Sequence, residues 1–281
     1  MAKQPISMDT SLLRPIHPLW GLRQRAPTKC RVGEESEPFS GNETDIICHE
    51  GIFVAATMVA DDLQDFLENL VISKNYRVVI TGHSLGAGTA CLLGLLLSSR
   101  IPSLQKHGKL QVVAFATPAV LNYTACKACM PFTTSVVNNT DMVPRMSISN
   151  LLTMNRGLVE VNRRLEIKGL SPDSLKKAYR YAQDLCKLDE DTLMTVDELN
   201  EFFVEIHEND SLTEEHDLYV PGRVVALYER GQEATVGGVV ADGSMRMLRQ
   251  LELTTSMIQD HFCTSYKASL DALLRDLSSS Q

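Results

Sequence analysis

The chain has 281 residues, of which 44% are apolar, and this is enough to build one large hydrophobic core. The net charge is −8, and nothing in the sequence suggests nucleic-acid binding, which needs a basic face. No run approaches the ~18–20 apolar residues of a membrane span, and the first residues lack the apolar centre of a signal peptide. We therefore expect a cytoplasmic protein with no transmembrane segment, whose contact with a membrane would be peripheral.

Residues 1–45 are rich in proline, serine and charged residues, and they contain no run of four or more apolar residues. This composition predicts a disordered or truncated arm. The folded domain is expected over 46–281. It opens with a helix over His49–Leu70, in which apolar side chains recur at helical spacing.

The most informative segment is a Gly-x-Ser-x-Gly pattern centred on Ser84. A β-branched strand, Tyr76–Thr81, leads into the pattern, and an apolar helix, Leu85–Ser99, follows it without a break. A strand, a sharp turn and a helix in this order present a nucleophilic serine. Since the pattern alone is weak, the flanking strand and helix carry this interpretation against that of a plain glycine turn.

The turn is expected to hold Ser84 in a strained backbone conformation, where side chains two residues away on either side would collide. Gly82 and Gly86 would remove these collisions. The helix behind the serine directs its positive end at the site, which makes the backbone N–H of Leu85 a candidate oxyanion donor.

A serine nucleophile needs a base and an acid that orients the base. The strands Leu110–Ala116 and Phe132–Val137 follow the serine, and Asp141 lies just beyond the second strand. Pro144 prevents that strand from continuing. Asp141 is therefore the candidate acid, although an aspartate of an Asx-type turn would also suit the run Asn138–Asp141.

An acidic segment follows the candidate acid. Between Asp184 and Asp217, 13 Asp and Glu residues face one lysine, which gives a local charge of about −12. Capping patterns predict helices over Asp173–Leu188 and Thr195–His207. We expect a helical insertion over about 160–217, which is either a lid or regulatory element or a plain surface hairpin.

The last elements are the strands Arg223–Arg230 and Gly237–Ala241 and a helix over 265–278. The alternation of strands and helices predicts an α/β fold with a mostly parallel sheet. The seven cysteines are odd in number and lack disulfide-scaffold spacing, which favours a reducing compartment. Cys126 and Cys129 form a single CxxC pair without a second pair at zinc spacing.

In α/β-hydrolases the three residues follow the chain order Ser, then Asp or Glu, then His. The base must therefore be a histidine downstream of Asp141, and the candidates are His207, His216 and His261. His207 lies in an acidic helical stretch, where a surface histidine is the better interpretation, and His216 lies in a loop. His261 lies between the last strand and the last helix, where this architecture places its histidine, and it is preferred.

With these residues identified, the chain resembles the class 3 lipases, and among them the diacylglycerol lipase branch. The resemblance covers nearly the whole domain, and its main motifs are Thr81–Ala90, Asn139–Arg145 and Met257–Tyr266, with lesser matches at His49–Gly51 and Leu218–Arg223. It implies an α/β-hydrolase fold, with Ser84 as nucleophile, Asp141 as acid and His261 as base.

The implied function is that of a serine hydrolase that cleaves carboxylic esters of acylglycerols through an acyl-enzyme. It needs no metal or cofactor, and its lipid substrate would lie at a membrane or lipid-droplet surface. A phospholipase A1-type esterase is an alternative that the motifs do not separate. His83 is expected to pack beneath the turn, and Arg145 to anchor the loop that carries the acid.

One departure from the family pattern keeps a third alternative open. The family has a strand ahead of the His-x-Gly block that ends in a Gly-Thr-like segment and supplies the second oxyanion donor. We find no such segment in this sequence. A catalytically impaired lipase-like protein that binds lipid therefore stays an alternative, and the fold is expected to lack this strand.

Overall fold

The computed structural model describes residues 8–9, 28–30, 46–106, 108–167, 197–198, 201, 217–230, 235–252 and 254–279. The chain divides into two compact units, of which the first combines 1–147 with 214–281 and the second spans 148–213. All the candidate site residues that are described belong to the first unit. The bounds of the arm and of the insertion stay predictions.

Three short strands form a small antiparallel sheet: β1 (Met8–Asp9), β2 (Thr28–Cys30) and β3 (Ile46–Cys48). Two of these strands lie within 1–45. The third, β3, also contacts the rest of its unit, because Cys48 forms an isolated bridge with Leu121.

Five strands form the main sheet in their chain order: β4 (Val78–His83), β5 (Leu110–Phe115), β6 (Thr133–Asn138), β7 (Arg223–Arg230) and β8 (Thr235–Ala241). The first four strands are parallel, and β8 pairs with β7 in antiparallel orientation. This sheet confirms the predicted α/β-hydrolase fold with a mostly parallel sheet. Among the described strands, β4 is the outermost on its side.

Five helices accompany the strands in the described part of the chain: α1 (Glu50–Phe66), α2 (Leu85–Arg100), α3 (Tyr123–Ala128), α4 (Ile148–Ile167) and α5 (Cys263–Ser279). α1 continues into a π-helical turn at Leu67–Ile72. Of these five, α4 belongs to the second unit. Within the described ranges, no helix combines the length and the apolar character that crossing a bilayer requires.

α2, which begins directly after Ser84, is buried over most of its surface. Its sequence has no charged residue before Arg100, and most of its side chains are buried. A helix that is apolar on all sides must be covered on all sides. Leu92 and Leu96 pack in one cluster with Phe53 and Ala56 of α1, while Cys91 packs with Val112 of β5.

Several predicted elements appear with small shifts, and others lie beyond comparison. The strand Arg223–Arg230 has its predicted bounds, whereas the last strand begins earlier, at Thr235. The predicted helix Asp173–Leu188 lies outside the described residues. Of Thr195–His207, only 197, 198 and 201 are described, and all three are helical.

Candidate active site

Ser84 occupies the turn between β4 and α2 in the strained conformation that the sequence predicts. Its backbone has φ 56° and ψ −124°, which residues other than glycine rarely adopt. The Ser84 amide donates to the Phe115 carbonyl at 2.9 Å, and its own carbonyl accepts from Ala87 and Gly88. The turn is thus fixed on both sides by the sheet and the helix.

The two glycines of the turn have different roles. A Cβ on Gly82 would lie 2.2 Å from the Gly86 carbonyl oxygen, so this position admits no side chain without movement of the backbone. A Cβ on Gly86 would meet no atom within 4 Å outside its own helix. The expectation for Gly82 is confirmed, and the expectation for Gly86 is wrong because the close approach is made by its backbone.

Leu85 is the first residue of α2, where backbone N–H groups have no partner within the helix. The positive end of the helix dipole lies at the same place. Both features suit the amide of Leu85 to the stabilisation of an oxyanion. The Leu85 side chain is 65% exposed.

Asp141 is the third residue after the end of β6, and its side chain is fully buried. Its carboxylate accepts hydrogen bonds from the Val143 amide at 2.9 Å, from His261 Nδ1 at 3.1 Å and from the Tyr266 hydroxyl at 2.7 Å. The Val143 bond is that of an Asx-type turn. The two interpretations of Asp141 are therefore compatible, since one carboxylate both forms the turn and accepts from a histidine.

His261 ends a short 3₁₀-helix, Gln259–His261, just ahead of α5. Because an ionised carboxylate only accepts, Nδ1 donates to Asp141, and this leaves Nε2 of a neutral ring with a lone pair. That is the tautomer a general base needs. Among the hydrogen bonds of the described residues, none joins Ser84 to this ring, and His207 and His216 lie outside the described residues.

His83 connects the nucleophile strand to the candidate base. Its Nε2 donates to the His261 carbonyl oxygen at 2.8 Å, and the centroids of the two rings are 4.8 Å apart. The ring of His83 also lies edge-on to Tyr266. These contacts bring the end of β4 next to the segment that carries His261, and they agree with the packing role expected for His83.

Arg145 holds the loop that carries the candidate acid Asp141, residues 138–145, which is called the acid loop below. Arg145 is 1% exposed, and its guanidinium donates to the Asp141 and Asn139 carbonyl oxygens, each at 2.9 Å. Asn139 has φ 43°, so the chain turns sharply between these two acceptors. The anchoring role expected for Arg145 is thus observed.

Asp260 and Tyr266, for which the sequence predicted no role, connect the acid loop to the segment that carries His261. Asp260 accepts from Asn139 Nδ2 at 3.1 Å and from the Thr140 amide and hydroxyl at 3.2 and 2.8 Å. Tyr266 reaches Asp141 from α5. Both lie in the motif Met257–Tyr266, but nothing in the sequence indicates which distant residues they contact.

Large apolar side chains are exposed next to the candidate residues. Ile258 is 58% exposed and Phe262 is 54% exposed, and they flank His261 in sequence. Leu85 adds a third exposed apolar side chain beside Ser84. Within the part of the chain that the structure describes, no group of three or more His, Cys, Asp or Glu residues is arranged to hold a metal ion.

Comparison with known proteins gives a match to one family model over part of the chain. Residues 25–151 match the family model described as lipase (class 3). This range begins within the segment predicted to be an arm, and it contains Ser84 and Asp141 but not His261.

Two curated relatives are similar to part of the chain. Human diacylglycerol lipase-alpha is 30% identical over 142 residues, which are 46% of this chain and 13% of that protein. Diacylglycerol lipase-beta of Mus musculus is 28% identical over 121 residues, which are 42% of this chain and 17% of that protein. The chain thus spans only a small part of the length of these relatives.

Solved lipase structures are similar over different spans. The lipase from Rhizopus microsporus var. chinensis is 26% identical, with a TM-score of 0.34, covering 40% of this chain and 39% of that one. A mutant form of MDLA from Penicillium cyclopium is 15% identical, with a TM-score of 0.43, covering 83% of this chain and 67% of that one.

Proposed function

We propose that the chain is a class 3 lipase, since residues 25–151 match that family model, and that it hydrolyses carboxylic esters of acylglycerols. Ser84 is the nucleophile, His261 the general base and Asp141 the acid that orients the base. The observation that carries the proposal is the hydrogen bond from His261 Nδ1 to the buried Asp141 carboxylate. His261 and Asp141 are 120 positions apart in the sequence, so their contact is made by the fold and not by closeness along the chain. Ser84 lies in a strained turn, and its sequence neighbour His83 donates a hydrogen bond to the His261 carbonyl oxygen.

In the proposed mechanism, Ser84 Oγ attacks the ester carbonyl while His261 Nε2 takes its proton. Asp141 keeps the imidazole in the required tautomer and stabilises the imidazolium. The Leu85 amide donates to the oxyanion. His261 then protonates the leaving glycerol oxygen, and water, activated by the same histidine, cleaves the acyl-enzyme.

The substrate is proposed to be a lipid presented at a membrane or droplet surface. The exposed side chains of Leu85, Ile258 and Phe262 support this, because each lies within three positions of Ser84 or His261 and is more than half exposed. Moving apolar side chains from water into a lipid surface lowers the free energy, which favours binding of the protein to that surface. The site would then face the layer from which the substrate comes.

The first test is labelling of the purified full chain with a fluorophosphonate probe, which reacts with activated serines. We expect wild-type protein to be labelled, Ser84→Ala to be unlabelled and His261→Ala to be labelled far more slowly. His207→Ala is the matched control, since it removes a histidine that the mechanism does not use. Labelling that survives in Ser84→Ala would contradict the assignment of the nucleophile.

A catalytically impaired lipid-binding protein is the second candidate, and the position of β4 is the observation that favours it. Among the described strands, none pairs with β4 on the side away from β5, which fits the expectation that a strand with a second oxyanion donor is lacking. A folded wild-type protein that binds lipid vesicles but takes no probe would support this candidate. Hydrolysis assays on diacylglycerol and on phospholipid would separate an acylglycerol lipase from a phospholipase A1-type esterase.

A further inference from the structure

The hydroxyl of Tyr266 lies between two groups of the acid loop. Tyr266 is the fourth residue of α5, and its side chain is 3% exposed. The Asn138 amide donates to its oxygen at 3.1 Å, and its hydroxyl lies 2.7 Å from Asp141 Oδ2. The ring is held from two sides by edge-on contacts with His83 and Phe115.

The direction of these hydrogen bonds follows from the groups involved. A backbone amide can only donate, so the Tyr266 oxygen accepts from Asn138, and its single proton is directed to Asp141. Burial and the nearby Asp141 carboxylate raise the pKa of Tyr266, so the hydroxyl stays a donor over the whole working pH range. Asp141 thus receives a charge-assisted hydrogen bond in addition to the one from its turn.

We propose that Tyr266 is a positioning residue that fixes the Asp141 carboxylate and sets how strongly it supports charge on His261. The inference rests on the proposed function, in which His261 is the base. A carboxylate that accepts from a phenol has less negative charge to offer its histidine. Tyr266 therefore weakens the Asp141–His261 interaction while it fixes its geometry.

Other charged and titratable groups face the same pair and stay in place when Tyr266 is changed. They are Arg145 and Glu252 near the acid loop, Asp260 beside the base, and His83 at the end of β4. Tyr266→Phe removes two hydrogen bonds of the hydroxyl, the one that it accepts from the Asn138 amide and the one that it donates to Asp141. Only the second touches the carboxylate, so the expected change in the pKa of His261 is assigned to the bond with Asp141. Removing that bond concentrates charge on Asp141, stabilises the imidazolium and raises the pKa of His261.

The experiment measures the pKa of His261 by NMR titration of ¹³C-labelled histidine, with the signal assigned by its loss in His261→Gln. In Tyr266→Phe we expect this pKa to rise by about one unit, and the acid limb of kcat/KM on a soluble ester to move to higher pH by the same amount. Ser265→Ala is the matched control. It removes a neighbouring hydroxyl bond, to the Gln259 carbonyl, without contact with Asp141.

A second variant reverses the sign. Difluorotyrosine incorporated at position 266 donates more strongly than tyrosine, so the pKa of His261 is expected to fall. A lower melting temperature in Tyr266→Phe, with the pKa of His261 and the acid limb unchanged, would reduce Tyr266 to a packing role and overturn the inference. If no ester is hydrolysed and no probe reacts while the pKa still rises, the proposed function fails and the inference on Tyr266 stands.

Discussion

Gly82 and Gly86 hold equivalent places in the sequence pattern around Ser84, and the structure separates them. We expect Gly82→Ala to lower the free energy of unfolding by about 1–3 kcal/mol or more, because its Cβ would overlap a backbone carbonyl. Gly86→Ala is expected to leave stability unchanged or to raise it by up to about 1 kcal/mol, since alanine favours helix. Urea unfolding of the two variants checks this, and equal losses of stability would contradict it.

Asp141 supports a second prediction at the same scale. In Asp141→Asn the amide directs an N–H towards His261 and favours the wrong tautomer, so kcat on a soluble ester is expected to fall by roughly 10³–10⁴-fold. The control is Asp271→Asn, which changes an exposed carboxylate on α5. A loss below about tenfold would show that Asp141 does not orient the base, since even one lost charge-assisted bond costs more.

At the scale of elements, the burial of cysteines on and next to α2 and α3 predicts which thiols of the native protein react. Cys91 on α2 and Cys126 on α3 are buried, and so is Cys129 at the end of α3. Burial raises the pKa of Cys91 to about 12, so it stays protonated and unreactive at neutral pH. Cys263, at the start of α5, is exposed.

Native protein treated with a maleimide at neutral pH should therefore be modified at Cys263 and not at the three buried thiols, as read by peptide mass spectrometry. Protein unfolded in guanidinium before treatment is the control, and it should react at these four positions as well as at the other three of its seven cysteines. Rapid modification of Cys91 in the native state would contradict the packing of α2 against β5.

The elements also show what the sequence could and could not predict. The strand at Arg223–Arg230 and the helix after Ser84 have strong local patterns, and both appear close to their expected bounds. The helix α4 begins at Ile148, ahead of the predicted start of the helical insertion at about 160, because Asn150, Asn155 and Gly157 favour helix poorly and hide this start in the sequence. The contacts of Asp260 and Tyr266 with the acid loop could not be predicted, because a one-sequence pattern does not encode pairings across about 120 residues.

For the whole molecule, apolar exposure predicts binding to a lipid surface, and charge predicts how that binding depends on salt. The acidic segment Asp184–Asp217 accounts for the net charge of −8, and phosphatidylcholine carries no net charge, so binding to such vesicles is expected to rest on apolar contact and to change little with salt. We predict that Ile258→Ser with Phe262→Ser weakens binding to phosphatidylcholine vesicles by roughly 10–100-fold. Val240→Ser is the control, since Val240 is 68% exposed on β8. Equal binding by wild type and the double variant would contradict a lipid-facing site.

The distance along the chain between Asp141 and His261 has a consequence for biosynthesis. Ribosomes add about 5–20 residues per second, so the segment with His261 and Tyr266 emerges roughly 6–24 s after the acid loop. During that interval β4, β5 and β6 can form the strained serine turn, but the nascent chain has no base to activate it. With Ser84 and His261 in their proposed roles, the growing polypeptide would acquire reactivity only when α5 docks against the completed sheet.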